Sequence, residues 1–267
     1  MSCLIPTWLE GLLPDGERIR LGRRCLLVRD EQQAWRVKFG ETVEDAYVLQ
    51  REALWLMRLR HLDMPLHRTL SLHKTADKTV LVTTYLEGQS AALVWPGYDA
   101  PHVHQWFAHS LPTLLGRLAL LHASGVVHGD IKPSNILCLP TMAACFVDFA
   151  NARRIGDPWK ERGMVQFTPS FHYPSSSPVA SVEHDFYALL ICMALLAAPS
   201  QLAACSTVGA VLTLVALKSS DWGVSDEVAK TLAQWISAIR LDLGAKLDTA
   251  PQWSCGLTSF GDTETSC

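Results

Sequence analysis

The stretch HGDIKPSNIL, residues 128–137, constrains this chain more than any other. It ends a helix-like run over residues 106–124 and is followed, after one short hydrophobic strand, by VDFA at residues 147–150. A buried core needs apolar residues at a regular period. It has no use for His, Asp, Lys and Asn gathered in one loop with a second Asp soon after, so this cluster calls for a chemical reason.

The surroundings bound that reason. A chain of 267 residues holds one large domain or two small ones and can bury a core. With 49% hydrophobic and 18% charged residues it reads as globular, and a net charge of −3 gives no general attraction to nucleic acid or anionic membrane. Arg18, Arg20, Arg23 and Arg24 form a local basic cluster that reads as solvated charge on a strand. The eight cysteines are scattered without a CxxC pair or Cys/His spacing, as expected of thiols in a reducing, cytoplasmic compartment. The opening MSCLIPTWLEGLL has no basic leader region, which argues against a signal peptide. Residues 186–198 are almost wholly apolar, but they are too few for a spanning helix, which takes about 20, so a buried core helix is expected.

Along the chain, residues 12–40 carry strand and turn signals for a small antiparallel sheet. Residues 41–60 switch to a helical period, with Ala46, Leu49, Ala53, Leu56 and Leu59 on one face. Strands are expected near 67–73 and 79–85, with a break at Glu87 and Gly88. Helices are expected over 103–124, 183–198, 203–217 and 226–243, the last with Val228, Leu232, Trp235, Ile236 and Ile239 on one face. Between them, residues 151–181 have no period; long irregular segments inside compact domains usually serve a function. Residues 246–267 read as a polar, flexible tail.

The order of these motifs resembles the protein kinases, of the eukaryotic-like serine/threonine type, from about residue 15 to residue 240. The resemblance implies an α+β, bilobal protein-kinase-like fold: a small antiparallel-sheet N-lobe with one main helix over residues 1–87, and a larger, mostly helical C-lobe over 88–245. It makes Asp130 the catalytic base, Lys132 a partner of the transferring phosphate, and Asn135 and Asp148 the ligands of magnesium. Lys38 would hold the α- and β-phosphates of ATP and Glu52 would pair with Lys38, with Glu44 as a rival. Thr83 would gate the back of the adenine pocket, while Tyr85 and Leu86 would offer backbone groups to the base. Residues 167–175, FTPSFHYPS, would seat a protein substrate, and Asp185 would brace the loop. Phosphoryl transfer is largely positioning and charge neutralisation, which is why carboxylates, a lysine and hard oxygen donors belong together in it.

The chain also departs from that family. Only Gly16 and Gly22 stand where a glycine-rich loop would be, so backbone amides alone cannot cradle phosphates there; Arg23 or Arg24 could supply charge instead. Arg36 replaces the alanine that lies against the adenine ring, so it is either turned outward or alters the pocket. Gly129 replaces the arginine that reads a phosphorylated activation loop, Ala150 the glycine of DFG, and Ser175 a glutamate of the substrate segment. Three activities therefore remain open. Lys132 with Pro133 favours a serine/threonine protein kinase; the missing glycines and Arg36 favour a pseudokinase scaffold; Gly129 is shared with small-molecule phosphotransferases.

Overall fold

The computed structural model describes residues 7–75, 78–159, 168–174 and 177–251. The expected tail beyond residue 251, Phe167 and Ser175 lie outside the described residues. The described residues divide into two compact units: one comprises those up to Glu87 together with Val147–Asn151, the other Gly88–Phe146 and those from Ala152 to residue 251.

In the first unit, a short helix α1 (Thr7–Glu10) precedes strands β1 (Glu17–Gly22), β2 (Cys25–Arg29) and β3 (Ala34–Gly40), helix α2 (Val43–Leu59), and strands β4 (Thr69–Lys74) and β5 (Thr79–Thr84). All five strands pair antiparallel in the order β1-β2-β3-β5-β4. Alternation along the strands sends Leu26, Val28, Val37, Phe39, Val80 and Val82 to one face, where they pack with Leu9 into a core. The other face of β3 carries Arg36 and Lys38. Helix α2 starts at a capping box in which Thr42 Oγ1 accepts from Asp45 N and Asp45 Oδ2 accepts from Thr42 N. Its apolar residues Ala46, Leu49, Ala53, Leu56 and Leu59 are all buried, and Leu49 and Ala53 pack on Leu81 of β5.

The second unit contains a three-stranded sheet of β6 (Gln89–Ser90), β8 (Ile136–Cys138) and β9 (Ala144–Phe146), and a two-stranded ribbon of β7 (Val126–Val127) and β10 (Arg153–Arg154). Its helices are α3 (Ala91–Val94), α4 (Ala100–Gln105), α5 (Leu111–Ala123), α6 (Val182–Ala197), α7 (Pro199–Ala203), α8 (Val208–Lys218) and α9 (Asp226–Leu243). A wide π-type turn at Trp106–Ser110 joins α4 to α5, so the expected single helix is one helical run with a local widening. Of the range 203–217 expected as a helix, α8 takes only the part from Val208, and Ala203 closes the short α7. Thr207 caps α8 by accepting from Ala210 N, which starts a new helix after the short α7. Helix α6 is buried from Tyr187 through Ala194, the packing expected of a core helix. No helix among the described residues is long and apolar enough to cross a membrane. In α9 the face of Val228, Leu232, Ile236 and Ile239 is buried, while Trp235 is half-buried and stacks on Phe186 at 4.0 Å.

Candidate active site

In the first unit, Lys38 Nζ lies 2.8 Å from Glu52 Oε2 and 3.0 Å from Asp148 Oδ2. The β3 register fixes the lysine and the α2 period brings the glutamate beneath it, so Glu52 is fully buried while the rival Glu44 is exposed. Arg36 is turned inward: its NH1 group donates to Glu52 Oε1 at 2.9 Å, and only 9% of the residue is exposed. One carboxylate thus receives a separate cation on each oxygen. Burial and the neighbouring Arg36 push the Lys38 ammonium toward neutrality, but Asp148 and Glu52 outweigh them and its pKa stands above the ordinary value. Two buried cations facing two carboxylates also account for His67: burial, then Arg36, hold it neutral with a pKa near 3, its Nδ1–H bonded to Thr84 O at 2.8 Å.

Asp148 adopts a left-handed backbone, φ 66°, a conformation that disfavours residues with a Cβ. The turn that contains it is tied to α2 by Arg51, whose Nε donates to Ala150 O at 2.9 Å. Thr83 is buried with its hydroxyl donating to Arg36 O. Tyr85 and Leu86 are half-buried, and the Tyr85 N–H is already committed to Ala34 O at 3.0 Å, so that donor is not open to a base. The β1–β2 connection is a tight turn with Arg23 and Arg24 at its tip. Arg20 bonds the Gly22 and Arg23 carbonyls, Arg24 pairs with Asp45, and Arg23 is exposed.

In the second unit, the loop after β7 is organised by Asp185 at the start of α6. Its Oδ2 accepts from His128 N at 2.7 Å and His122 Nε2 at 2.9 Å, and its Oδ1 accepts from Gly129 N at 2.9 Å. Gly129 takes φ 78°, which costs a glycine little. Downstream, Asn135 Nδ2 donates to Asp130 O at 2.9 Å and to Asp130 Oδ2 at 3.1 Å, and Lys132 Nζ lies 3.0 Å from the same Oδ2. Thr168 completes the group: its hydroxyl donates to Asp130 Oδ1 at 3.2 Å and accepts from Lys132 Nζ at 2.9 Å. The sequence placed Thr168 in a substrate segment but gave no sign that its hydroxyl meets Asp130, a contact across 38 residues.

Asn135 spends its amide N–H groups on Asp130, which leaves its amide oxygen as an acceptor. Among the described residues no group of three His, Cys, Asp or Glu side chains is placed to hold a metal ion. The described cysteines 25, 138, 145, 192 and 205 are free thiols.

No family model matches the chain. Over 109 residues it is 33% identical to a probable cyclin-dependent serine/threonine-protein kinase of Dictyostelium discoideum, covering 40% of this chain and 8% of that protein. Over 75 residues it is 37% identical to the serine/threonine-protein kinase PknA of Mycobacterium tuberculosis (strain ATCC 25177 / H37Ra), covering 27% of this chain and 17% of that one. Over 102 residues it is 33% identical to a probable inactive leucine-rich repeat receptor kinase of Oryza sativa subsp. japonica, covering 37% of this chain and 9% of that protein. The chain thus spans less than a fifth of the length of these relatives. On this partial relationship, and on a five-stranded antiparallel sheet followed by a helical remainder, the chain is a protein-kinase-like protein.

Proposed function

We propose that the chain transfers a phosphoryl group from ATP to a serine or threonine hydroxyl of a protein. The observation that carries this reading is the constellation of Asp130, Lys132, Asn135 and Thr168, a carboxylate held in place by three polar neighbours with one cation beside it. Asp130 would accept the proton of the attacking hydroxyl, while Asn135 and Thr168 fix its carboxylate and so lower the entropy cost of reaching the reactive geometry. Lys132 would offset the negative charge that builds on the transferring group. Lys38 would pair with nucleotide phosphates, held extended by Glu52. Asn135 and Asp148 would hold magnesium, which when bound supplies Lewis-acid neutralisation of phosphate charge. The test is transfer of labelled phosphate from ATP to the chain itself or to a generic protein acceptor. Asp130→Asn should lower it by about 10²–10⁴-fold, and Asp148→Ala should abolish magnesium-dependent labelling. Equal labelling by the unaltered chain and both variants refutes the proposal.

One observation favours a second reading, a scaffold that binds a nucleotide or a partner without turnover. Arg36 is buried and tied to Glu52 two residues before Lys38, where the resembled family has a small side chain against the base. The Oryza relative, named as probably inactive, keeps company with this reading. An upward thermal shift with magnesium and ATP but no labelling would select it.

A further inference from the structure

Arg36, Lys38, Glu52 and Asp148 form one charged group within the first unit, two cations against two carboxylates. The carboxylates are unequally open. The Glu52 side chain has no exposed surface, whereas that of Asp148 is 26% exposed, so Asp148 can fall back on solvent and Glu52 cannot. A chain with Lys38 alone on Glu52 would face a conflict. Whenever the ammonium turned to a phosphate, a fully buried carboxylate would lose its counter-charge, which costs far more than breaking an exposed pair.

Arg36 removes that conflict. Its NH1 group meets Glu52 Oε1 at 2.9 Å while Lys38 holds Oε2 at 2.8 Å, so the two cations do not compete for one atom. The backbone of Arg36 is fixed inside the sheet, because β3 lies between β2 and β5 and residue 36 pairs with Leu27 on one side and Thr83 on the other. Among the described residues Arg36 meets no other carboxylate at ion-pair distance. A guanidinium keeps its charge throughout the working pH range of a protein. Burial disfavours that charge here but is outweighed, chiefly by Glu52, and the Arg36 pKa lies above the ordinary value.

We infer that Arg36 is a positioning residue of this site: it keeps Glu52 compensated, so that Lys38 can be given over to a phosphate group without stripping a buried carboxylate. The inference rests on the nucleotide-holding role given to Lys38 above, and it holds with or without turnover.

One test needs no ligand. Thermal melting is followed for the full chain, for Arg36→Met, for Lys38→Met and for the double variant. Either single change leaves Glu52 one cation, whereas the double change leaves none. The double variant should therefore lose more melting temperature than the two single losses summed. Adding Glu52→Gln to the double variant should raise its melting temperature, or restore a cooperative melt where the double variant shows none, because the uncompensated charge is gone. Additive losses, or a triple variant no more stable than the double one, overturn the inference.

A second test measures ADP affinity by calorimetry on the folded chains. Arg36→Met should bind ADP about tenfold more weakly, the worth of a hydrogen bond to a charged group. Arg36→Lys should recover most of that loss, and the ratio should persist in raised salt, which screens buried pairs little. Unchanged affinity in Arg36→Met would make Arg36 a merely structural residue and overturns the role. An unaltered chain that binds no ADP refutes the nucleotide reading and with it the release of Lys38. An unaltered chain that binds ADP, with additive melting losses in the variants, refutes this inference alone.

Discussion

Replacing Asp185 by Asn isolates how the Asp130 loop is held. Three donors converge on one buried carboxylate: His128 N and His122 Nε2 on Oδ2, and Gly129 N on Oδ1. An amide has one acceptor oxygen and one NH₂ group, so it must turn the NH₂ toward a donor. In the better orientation the oxygen keeps His128 and His122 and the NH₂ opposes Gly129 N–H, losing one bond to a charged group, about 1.5–3 kcal/mol. The two surviving bonds lose their charge assistance, so the total should reach about 3 kcal/mol. With an m value of about 3 kcal/mol/M, the urea midpoint followed by tryptophan fluorescence should fall by about 1 M at unchanged m. The loss should also depend on pH. Burial pushes the Asp185 pKa up, but the His122 hydrogen bond, the charges of His122 and His128 and the Gly129 N–H outweigh it, and the folded value lies below the ordinary one. A depressed carboxylate stabilises fully above its unfolded value of about 3.9 and ceases to do so as pH falls through the lower folded value. The gap between the unaltered chain and Asp185→Asn should therefore be full at pH 7 and close only in strong acid. A gap below about 0.5 kcal/mol at pH 7 would show that these three bonds do not anchor the loop.

Two further outcomes follow from the geometry. Thr168→Ala should lower labelling about tenfold, the worth of one hydrogen bond on Asp130, and Thr168→Ser should restore it; equal rates for the Ala and Ser variants would remove the hydroxyl from the reaction. His67, held neutral with a pKa near 3, gains its proton only on unfolding as pH falls below about 6.5. Stability should then drop by about 1.4 kcal/mol per pH unit from this residue between about pH 6 and pH 4. In urea titrations His67→Gln should flatten that slope, and an unchanged slope would mean that His67 is charged in the fold.

Much of this was legible in the residues for reasons that can be named. The apolar face of α2 follows a period of 3.6, and its residues are the ones that the core takes up. The apolar run before Pro199 is too short to span a bilayer, and it is a buried helix. For Arg36, alternation decides between outward and inward: two residues from Lys38 on one strand, it must share the lysine's face. The break before α8 also had a local signal, a threonine in cap position ahead of an apolar run. Other contacts had none. Thr168 to Asp130 and Arg51 to Ala150 join residues 38 and 99 positions apart, and no period or cap in either segment points to the other. The commitment of Tyr85 N–H to Ala34 O depends on strand register, which the sequence signals only through pattern.

The anchoring of His128 and Gly129 on Asp185 also orders events during synthesis. The two amides are made 57 and 56 residues before the carboxylate that receives them. At about 5–20 residues per second, the ribosome needs several seconds to cover that interval. Until that carboxylate has been made and has itself emerged, the loop of Asp130 is without its anchor. The loop of Asp130 is therefore among the later parts of the second unit to take its final form, after α5 is complete and only once the start of α6 is available.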